Sequence, residues 1–248
     1  MKFKHLSSSF LIFAVFLLFT GCRKTSLRNR RVSHSIETTK GNSREGRNDS
    51  QEGKKESGSN KKLSGAEIFK KYGNAVFMVY TTDGSNVYQG SGFFIGEDGL
   101  AVSNYHVFKG TGIGEEAIKM PGDNTAYKIS EIYQRSEDED FILFRVDYEN
   151  DTYLPIATTR PEIGQRVFAI GSPRGLENTF SSGEVSQWRG DNLMQISALI
   201  DHGSSGGALI NEYGEAVGIT SGTFADGSQA NLNYAWSIDV VKPYIKFE

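Results

Sequence analysis

A short glycine-rich stretch, Gly203-Ser204-Ser205-Gly206-Gly207, carries the strongest chemical signal in the sequence. A nucleophilic serine needs a backbone bend that points its own N–H and that of a preceding residue at the spot where a negative oxygen develops. Glycines on both sides of Ser205 permit that bend, and the apolar stretch Ala208-Leu209-Ile210 then anchors the loop. The same composition also suits a flexible hairpin tip. Ser205 is therefore a candidate nucleophile only in combination with other groups.

A general base for Ser205 would have to be one of two histidines, because only His106 and His202 lie beyond the first 62 residues. His106 follows the apolar stretch Leu100–Val102, at the end of a predicted strand. His202 is three residues from Ser205 on the same loop, which makes an approach of its Nε2 to the serine Oγ awkward. We therefore expect His106 to be the imidazole base.

Asp140 is the candidate acid that would orient this base. It is the last residue of an acidic run, Glu137 to Asp140, and it immediately precedes the apolar run Phe141 to Phe144. The first three acidic residues fit a solvated loop, but a carboxylate next to a buried strand can be shielded and still accept a hydrogen bond from an imidazole Nδ1–H. The order His106, Asp140, Ser205 is that of chymotrypsin-type enzymes, whereas an esterase of the α/β-hydrolase class carries the serine first.

The elements that must position these groups are almost all short strands. Ser64-Gly65-Ala66-Glu67 fits a capping box and predicts a short helix that ends at Gly73. Beyond it, eleven short segments rich in β-branched and aromatic residues run from Val76 to Ile238, separated by turn signals. Residues 239–247 predict a terminal helix capped by Asp239. This pattern indicates an all-β sandwich or barrel arrangement.

Six short sequence blocks, which follow one another in a fixed order along the chain, identify a family that this sequence resembles. They are Ser91-Gly92-Phe93-Phe94-Ile95, Ser103-Asn104-Tyr105-His106-Val107, Asp140-Phe141-Ile142-Leu143, Gly171-Ser172-Pro173-Arg174-Gly175-Leu176, Ser182-Gly183-Glu184-Val185-Ser186 and Gly203 to Leu209. Together they resemble the HtrA/Deg-type trypsin-like serine proteases, over about residues 70–245.

The resemblance implies an all-β fold of two packed six-stranded antiparallel β-barrels, with short N- and C-terminal helices. The protease domain would span residues 63–248, with the boundary between the barrels near residue 155. His106 and Asp140 would come from the first barrel and Ser205 from the second. The backbone N–H groups of Gly203, Ser204 and Ser205 are the candidate oxyanion-hole donors.

The same resemblance places candidate substrate-binding residues at Ile200, Ser221 and Phe224. A preference for Lys or Arg would need a carboxylate at the base of the recognition pocket, because a buried cation left unpaired is very costly. Leu199 occupies the corresponding position, six before Ser205. The expectation is therefore cleavage after small or medium aliphatic residues, in extended and unfolded substrates.

The start of the chain reads as a targeting segment. Lys2 and Lys4 precede an apolar run that ends at Thr20-Gly21-Cys22, and Cys22 is the only cysteine. Residues 1–22 resemble a bacterial lipoprotein signal in which Cys22 is acylated; an ordinary secretory peptide is the alternative. Residues 23–62 are polar and basic and predict a disordered tether. Both alternatives predict a location outside the cytoplasm, and the resemblance of Leu18-Phe19-Thr20-Gly21-Cys22 to a bacterial lipobox predicts a lipid anchor on a bacterial membrane in the cell envelope.

Charge and composition exclude several other functions. Residues 63–248 hold 13 Lys and Arg against 25 Asp and Glu, a formal charge of −12, which argues against nucleic-acid binding. One cysteine excludes a disulfide framework, and no metal or cofactor is expected. The chain stops after the terminal helix, so the PDZ domains usual in the family are not expected, and oligomeric state is left open.

The sequence therefore predicts a serine endopeptidase that cleaves unfolded or extended proteins outside the cytoplasm, a role in protein quality control. The partners would be protein or peptide substrates and, through the lipid anchor, a membrane. The alternative is a catalytically silent protease-fold domain that binds extended peptides by strand addition. The presence of His106, Asp140 and Ser205 argues against that alternative.

Overall fold

Residues 61–112, 114–223 and 232–245 are described by the structure, a computed structural model. The predicted signal segment with Cys22, most of the predicted tether and Phe224 lie outside the described residues.

Helix α1, Gly65–Tyr72, forms as its capping box predicts. The Ser64 side chain accepts the Glu67 N–H, and the Glu67 side chain reaches back to the Ser64 N–H. These two bonds satisfy amide groups that a helix start otherwise leaves unpaired. Ile68 and Tyr72 are buried, whereas Phe69 stays more exposed than an apolar-face position suggests and packs edge-on against Phe180.

The first six strands form one antiparallel sheet in the order β4-β1-β2-β3-β6-β5. Their bounds are β1 Val76–Thr82, β2 Val87–Phe94, β3 Leu100–Ser103, β4 Ala117–Lys119, β5 Ile129–Ser136 and β6 Phe141–Val146. A four-residue helix, α2 (Tyr105–Phe108), directly follows β3. The sheet carries its own apolar cluster, in which Phe77, Phe94 and Phe144 are fully buried.

The last six strands close into a barrel in the order β10-β11-β12-β9-β8-β7. Their bounds are β7 Arg166–Gly171, β8 Thr179–Arg189, β9 Leu193–Ile196, β10 Ala208–Asn211, β11 Ala216–Thr223 and β12 Asn233–Ser237. Apolar residues of β7, β8, β9 and β11 fill the barrel. A further cluster joins barrel and sheet, with Phe93 and Leu143 from the sheet and Phe168 and Ile210 from the barrel. This shared core fixes the cleft between the two units.

The all-β, two-unit prediction is confirmed, with three differences in detail. The first sheet is open, and only the second closes into a barrel. A twelfth strand, β4, was missed because three residues are too short for an alternating pattern to show. The predicted C-terminal helix is wrong: the described part consists of two 3₁₀ turns, Ile238–Val240 and Lys242–Tyr244. Pro243 explains this, since it lacks an amide donor and its ring clashes with the preceding turn of a helix.

Candidate active site

His106 is positioned by β3, an interior strand of the first sheet, which ends just before it. The buried Asn104 lies between β3 and α2 as the N-cap of the helix, and His106 lies in the first turn of that helix. The Asn104 side-chain amide donates to the backbone carbonyl of Asp140 at 2.8 Å. One side chain thus ties the β3 end, which carries the imidazole, to the β6 start, which carries the carboxylate.

The Asp140 carboxylate accepts three hydrogen bonds. The His106 backbone N–H donates at 2.9 Å, the His106 Nδ1 lies 2.8 Å from Oδ2, and the Ser221 hydroxyl donates to Oδ2 at 2.9 Å. An ionised carboxylate can only accept, so the proton of a neutral His106 ring belongs on Nδ1. Nε2 is then left with a free lone pair, as a general base requires.

Asp140 itself adopts a left-handed backbone conformation, with φ 46°. Non-glycine residues are uncommon in that region, and aspartate is among the types that tolerate it. Here the conformation turns the chain between the acidic loop and β6 so that the carboxylate faces His106.

Ser205 lies across the cleft, on the loop that leads into β10. Two glycines of that loop have positive φ, 94° at Gly203 and 88° at Gly206, which supplies the bend that the sequence predicts. Ser205 and His106 line the same cleft, of about 320 Å³. No hydrogen bond joins their side chains within the described part of the chain; such bonds are often loose without substrate and tighten when it binds.

Two backbone N–H groups of this loop are available to an oxyanion. Within residues 61–112, 114–223 and 232–245, the N–H groups of Gly203 and Ser205 have no acceptor. The Ser204 N–H, by contrast, donates to the Asp201 carbonyl at 2.9 Å. The expectation that Ser204 would be an oxyanion donor is therefore wrong, because its proton already has a partner inside the loop.

Ser91, on β2, is a positioning residue that sequence reasoning missed. Its N–H donates to the Ser205 carbonyl at 2.8 Å, and its hydroxyl donates to the Gly203 carbonyl at 2.8 Å and accepts from the Ser172 N–H at 2.9 Å. One buried serine of the first sheet thus fixes the barrel loop that carries the candidate nucleophile Ser205, residues 201–207, called the nucleophile loop below. Ser91 stands in the first of the six sequence blocks, but a serine in a strand has no local feature that marks this contact.

The outer side of the loop carries an ion pair. Arg174 donates from its side chain to the Asp201 carboxylate at 2.8 Å and from its backbone N–H to the His202 carbonyl at 2.8 Å. The His202 N–H and then the Arg174 side chain hold the pKa of Asp201 below its usual value. Asp201 is therefore a surface carboxylate with a partner, and His202 is exposed at the rim of the cleft, away from Asp140.

The structure places the predicted substrate-binding residues in two different cavities. Ser221 lines the cleft beside Ser205 and also positions Asp140. Ile200 and Leu199 instead line a neighbouring apolar cavity of about 270 Å³ behind the nucleophile loop. Leu199 is 69% exposed, so the structure does not place it at the base of a recognition pocket. Phe224 lies outside the described residues.

Metal sites and membrane-spanning helices are both absent from the part of the chain that the structure describes. No group of three or more His, Cys, Asp or Glu side chains there could hold a metal ion. No helix within that part of the chain is long and apolar enough to cross a membrane.

An imidazole–carboxylate pair on one β-unit, facing a serine on a glycine-rich loop of a β-barrel, defines a site of the chymotrypsin type. Residues 90–219 match the model of the trypsin-like peptidase domain. The chain therefore belongs to the trypsin-like peptidase family.

Individual relatives confirm the resemblance to HtrA-type serine proteases. The chain is 36% identical over 161 residues to serine protease HTRA1A of Danio rerio, covering 58% of this chain and 32% of the relative. It is 34% identical over 160 residues to a probable periplasmic serine endoprotease, DegP-like, of Halomonas elongata; the match covers 61% of this chain and 33% of the relative. The chain thus spans about a third of the length of these relatives. The crystal structure of the serine endoprotease from Yersinia pestis is similar at a TM-score of 0.65 and 26% identity, covering 73% of this chain and 65% of that one.

Proposed function

We propose that this protein is a serine endopeptidase that hydrolyses extended protein chains outside the cytoplasm. The observation that carries the proposal is the pairing of His106 Nδ1 with Asp140 at 2.8 Å, in the same cleft as Ser205. In this proposal the three residues form a catalytic triad, and the N–H groups of Gly203 and Ser205 form the oxyanion hole.

The chemistry begins with acylation of the serine. The Ser205 Oγ attacks the scissile carbonyl carbon while His106 Nε2 takes the hydroxyl proton. The carbonyl oxygen becomes an anion that accepts from the Gly203 and Ser205 N–H groups. The intermediate then collapses, the C–N bond breaks, and Nε2 gives its proton to the leaving amine. Asp140 stays ionised throughout and stabilises the imidazolium.

Water completes the cycle by the same route in reverse. It gives a proton to His106 Nε2 and attacks the acyl carbon, the oxyanion forms again in the hole, and the C–O bond to Ser205 breaks. The proton returns to the Ser205 Oγ, which releases a carboxylic acid and restores the enzyme. In this proposal a single extended segment of the substrate lies along the cleft between the two β-units, which favours unfolded substrates.

Reaction with a fluorophosphonate probe tests the proposal directly. The full chain should be labelled once, at Ser205, and the Ser205→Ala variant should not be labelled. Ser130→Ala, which changes an exposed serine of the first sheet, is the matched control and should label normally. A folded chain that cleaves no peptide and takes no probe would instead favour the silent, peptide-binding alternative.

The location outside the cytoplasm is proposed from the signal segment and from the periplasmic naming of the Halomonas elongata relative. If Cys22 is acylated, cells given a labelled fatty acid should incorporate the label into this protein. Cys22→Ala should abolish the labelling and release the protein from the membrane fraction, because two or more acyl chains are needed for stable anchoring. Label that persists in Cys22→Ala would rule out a lipid anchor at this cysteine.

The residue next to Ser205 carries no charge that could pair with a new amino terminus, which predicts activity without N-terminal cleavage. In trypsin-type zymogens a newly cut amino terminus pairs with an Asp beside the nucleophile, but here that position is Ser204. The Ser204 carbonyl accepts from the Thr220 hydroxyl at 2.7 Å and from the Gly207 N–H at 2.9 Å. Active-site titration should therefore give equal burst amplitudes for the uncut chain and for chain cut after Lys62. A burst that appears only after the cut would contradict this prediction.

A further inference from the structure

Asn233 is a buried amide at the start of β12, and its Oδ1 has no hydrogen-bond partner in the part of the chain that the structure describes. It is 1% exposed, and its Nδ2 donates to the Ala198 carbonyl at 2.9 Å. A carbonyl oxygen can only accept, so the atom next to it must be the NH₂ group. The other atom is then Oδ1, which finds no hydrogen-bond donor among the described residues.

The strand register shows where this amide lies. Asn233 begins β12 and pairs with Thr223 on β11, one step along the ladder from the Gly222–Tyr234 pair. Gly222 lines the cleft, and a Cβ placed on it would lie 3.3 Å from the Ser205 Oγ. Directly paired residues in a sheet are about 5 Å apart, so Asn233 is a near neighbour of the cleft wall.

The alternation of β12 shows which way the side chain faces. Asn233, Ala235 and Ser237 are buried and alternate with partly exposed residues, and Ala235 belongs to the apolar cluster inside the barrel. Asn233 therefore faces the barrel interior, at the end where Ala198 leads towards the nucleophile loop. Its amide lies between the strand that carries Ser221 and the segment that precedes Ser205.

We propose that the Asn233 Oδ1 is the acceptor at the base of the pocket that binds the substrate side chain preceding the scissile bond, and that it selects side chains with an uncharged hydrogen-bond donor. This inference rests on the proposed endopeptidase function. The preferred residues are then Ser, Thr, Asn and Gln. An aliphatic side chain would leave a buried oxygen unpaired, and sites built around a hydrogen bond discriminate strongly against substrates that lack it.

Charged side chains fit this position less well. Asp201, the one carboxylate within two residues of Leu199 and Ile200, lies at the surface and is paired with Arg174. A buried Lys or Arg would meet only a neutral acceptor, which does not compensate for the loss of its hydration. In this proposal a preference for neutral polar residues takes the place of the aliphatic preference expected from Leu199.

Matched peptides test the inference on the unmodified chain. Two pairs differ only in the residue before the scissile bond, Thr against Val and Asn against Leu, so that shape is kept while the donor is removed. We expect kcat/KM to be at least about tenfold higher for the donor in each pair, the effect of one hydrogen bond to a buried group. Equal rates within both pairs, or faster cleavage of Val and Leu, would overturn the inference.

Variants identify the residue responsible. Asn233→Ala should bring both ratios close to one, because it removes the acceptor. Asn150→Ala is the control: the Asn150 amide bonds to the Gly99 N–H and the Gly96 carbonyl, both within the first β-unit, and both ratios should be kept. Unchanged ratios in Asn233→Ala would contradict the assignment.

If Asn233→Ala does not fold, the wild-type peptide pairs still decide the question. A chain that cleaves neither pair and takes no fluorophosphonate refutes the proposed function, which is a different outcome from cleavage without preference.

Discussion

Ser205→Ala should lower kcat/KM for peptide hydrolysis by about 10⁴- to 10⁶-fold, the largest effect expected of any single substitution in this protein. The variant keeps the loop and the N–H groups of Gly203 and Ser205 but lacks the hydroxyl that is the proposed nucleophile. Stopped assays with a fluorogenic peptide that the wild type cleaves measure the loss. Thermal unfolding should show little change, since the Ser205 side chain makes no hydrogen bond within the described part of the chain.

The same assay on His106→Ala and on the double variant tests whether the residues act as one unit. Each single change should cost nearly as much as both together, because a serine without its base and a base without its serine are equally ineffective. His202→Ala is the control for the second histidine and should retain hydrolysis within a few-fold of wild type. Near-normal turnover in His106→Ala together with a large loss in His202→Ala would show that the base has been assigned to the wrong residue.

Local sequence signals predicted those parts of the structure whose causes are themselves local. The capping box is a four-residue motif, Ser64 to Glu67, and it alone predicts that α1 begins at Gly65. The end of β3 and the start of β6 both follow from a change between apolar and polar residues. These changes place His106 just after β3 and Asp140 just before β6. Their closeness could be inferred because the six sequence blocks, taken in order, imply the fold that brings them together.

Contacts between the sheet and the barrel could not be predicted in this way. The hydrogen bond from the Ser91 hydroxyl to the Gly203 carbonyl joins residues 112 positions apart, and no spacing or pattern in the sequence predicts it. Asn233 likewise looks like an ordinary polar residue at a strand end, and only the closed barrel buries it. The expected oxyanion role of Ser204 failed for a similar reason, since the turn back to Asp201 depends on the actual course of the loop.

Gly206 is where sheet and barrel approach most tightly at the site. A Cβ placed on it would lie 2.1 Å from the Ser91 carbonyl oxygen and 2.3 Å from the Ser103 Oγ. The carbonyl belongs to the backbone of β2 and cannot rotate away as the end of a flexible side chain could. The Ser103 hydroxyl is in turn committed to that carbonyl at 2.7 Å. A methyl group at Gly206 must therefore separate the nucleophile loop from the first sheet.

Gly206→Ala should lower the free energy of unfolding by about 3 to 5 kcal/mol, combining a close-packed overlap with the strain of alanine at φ 88°. Gly190→Ala isolates the strain, because Gly190 also has a positive φ, 64°, but no described residue other than its chain neighbours comes within 4 Å of the added Cβ; this change should cost about 1 kcal/mol. Urea unfolding of the full chain measures both. In the folded fraction of Gly206→Ala, fluorophosphonate labelling should also slow markedly, because Ser91 can no longer hold the Ser205 carbonyl. Equal destabilisation by the two substitutions, with labelling unchanged, would mean that the loop does not depend on this contact with the sheet.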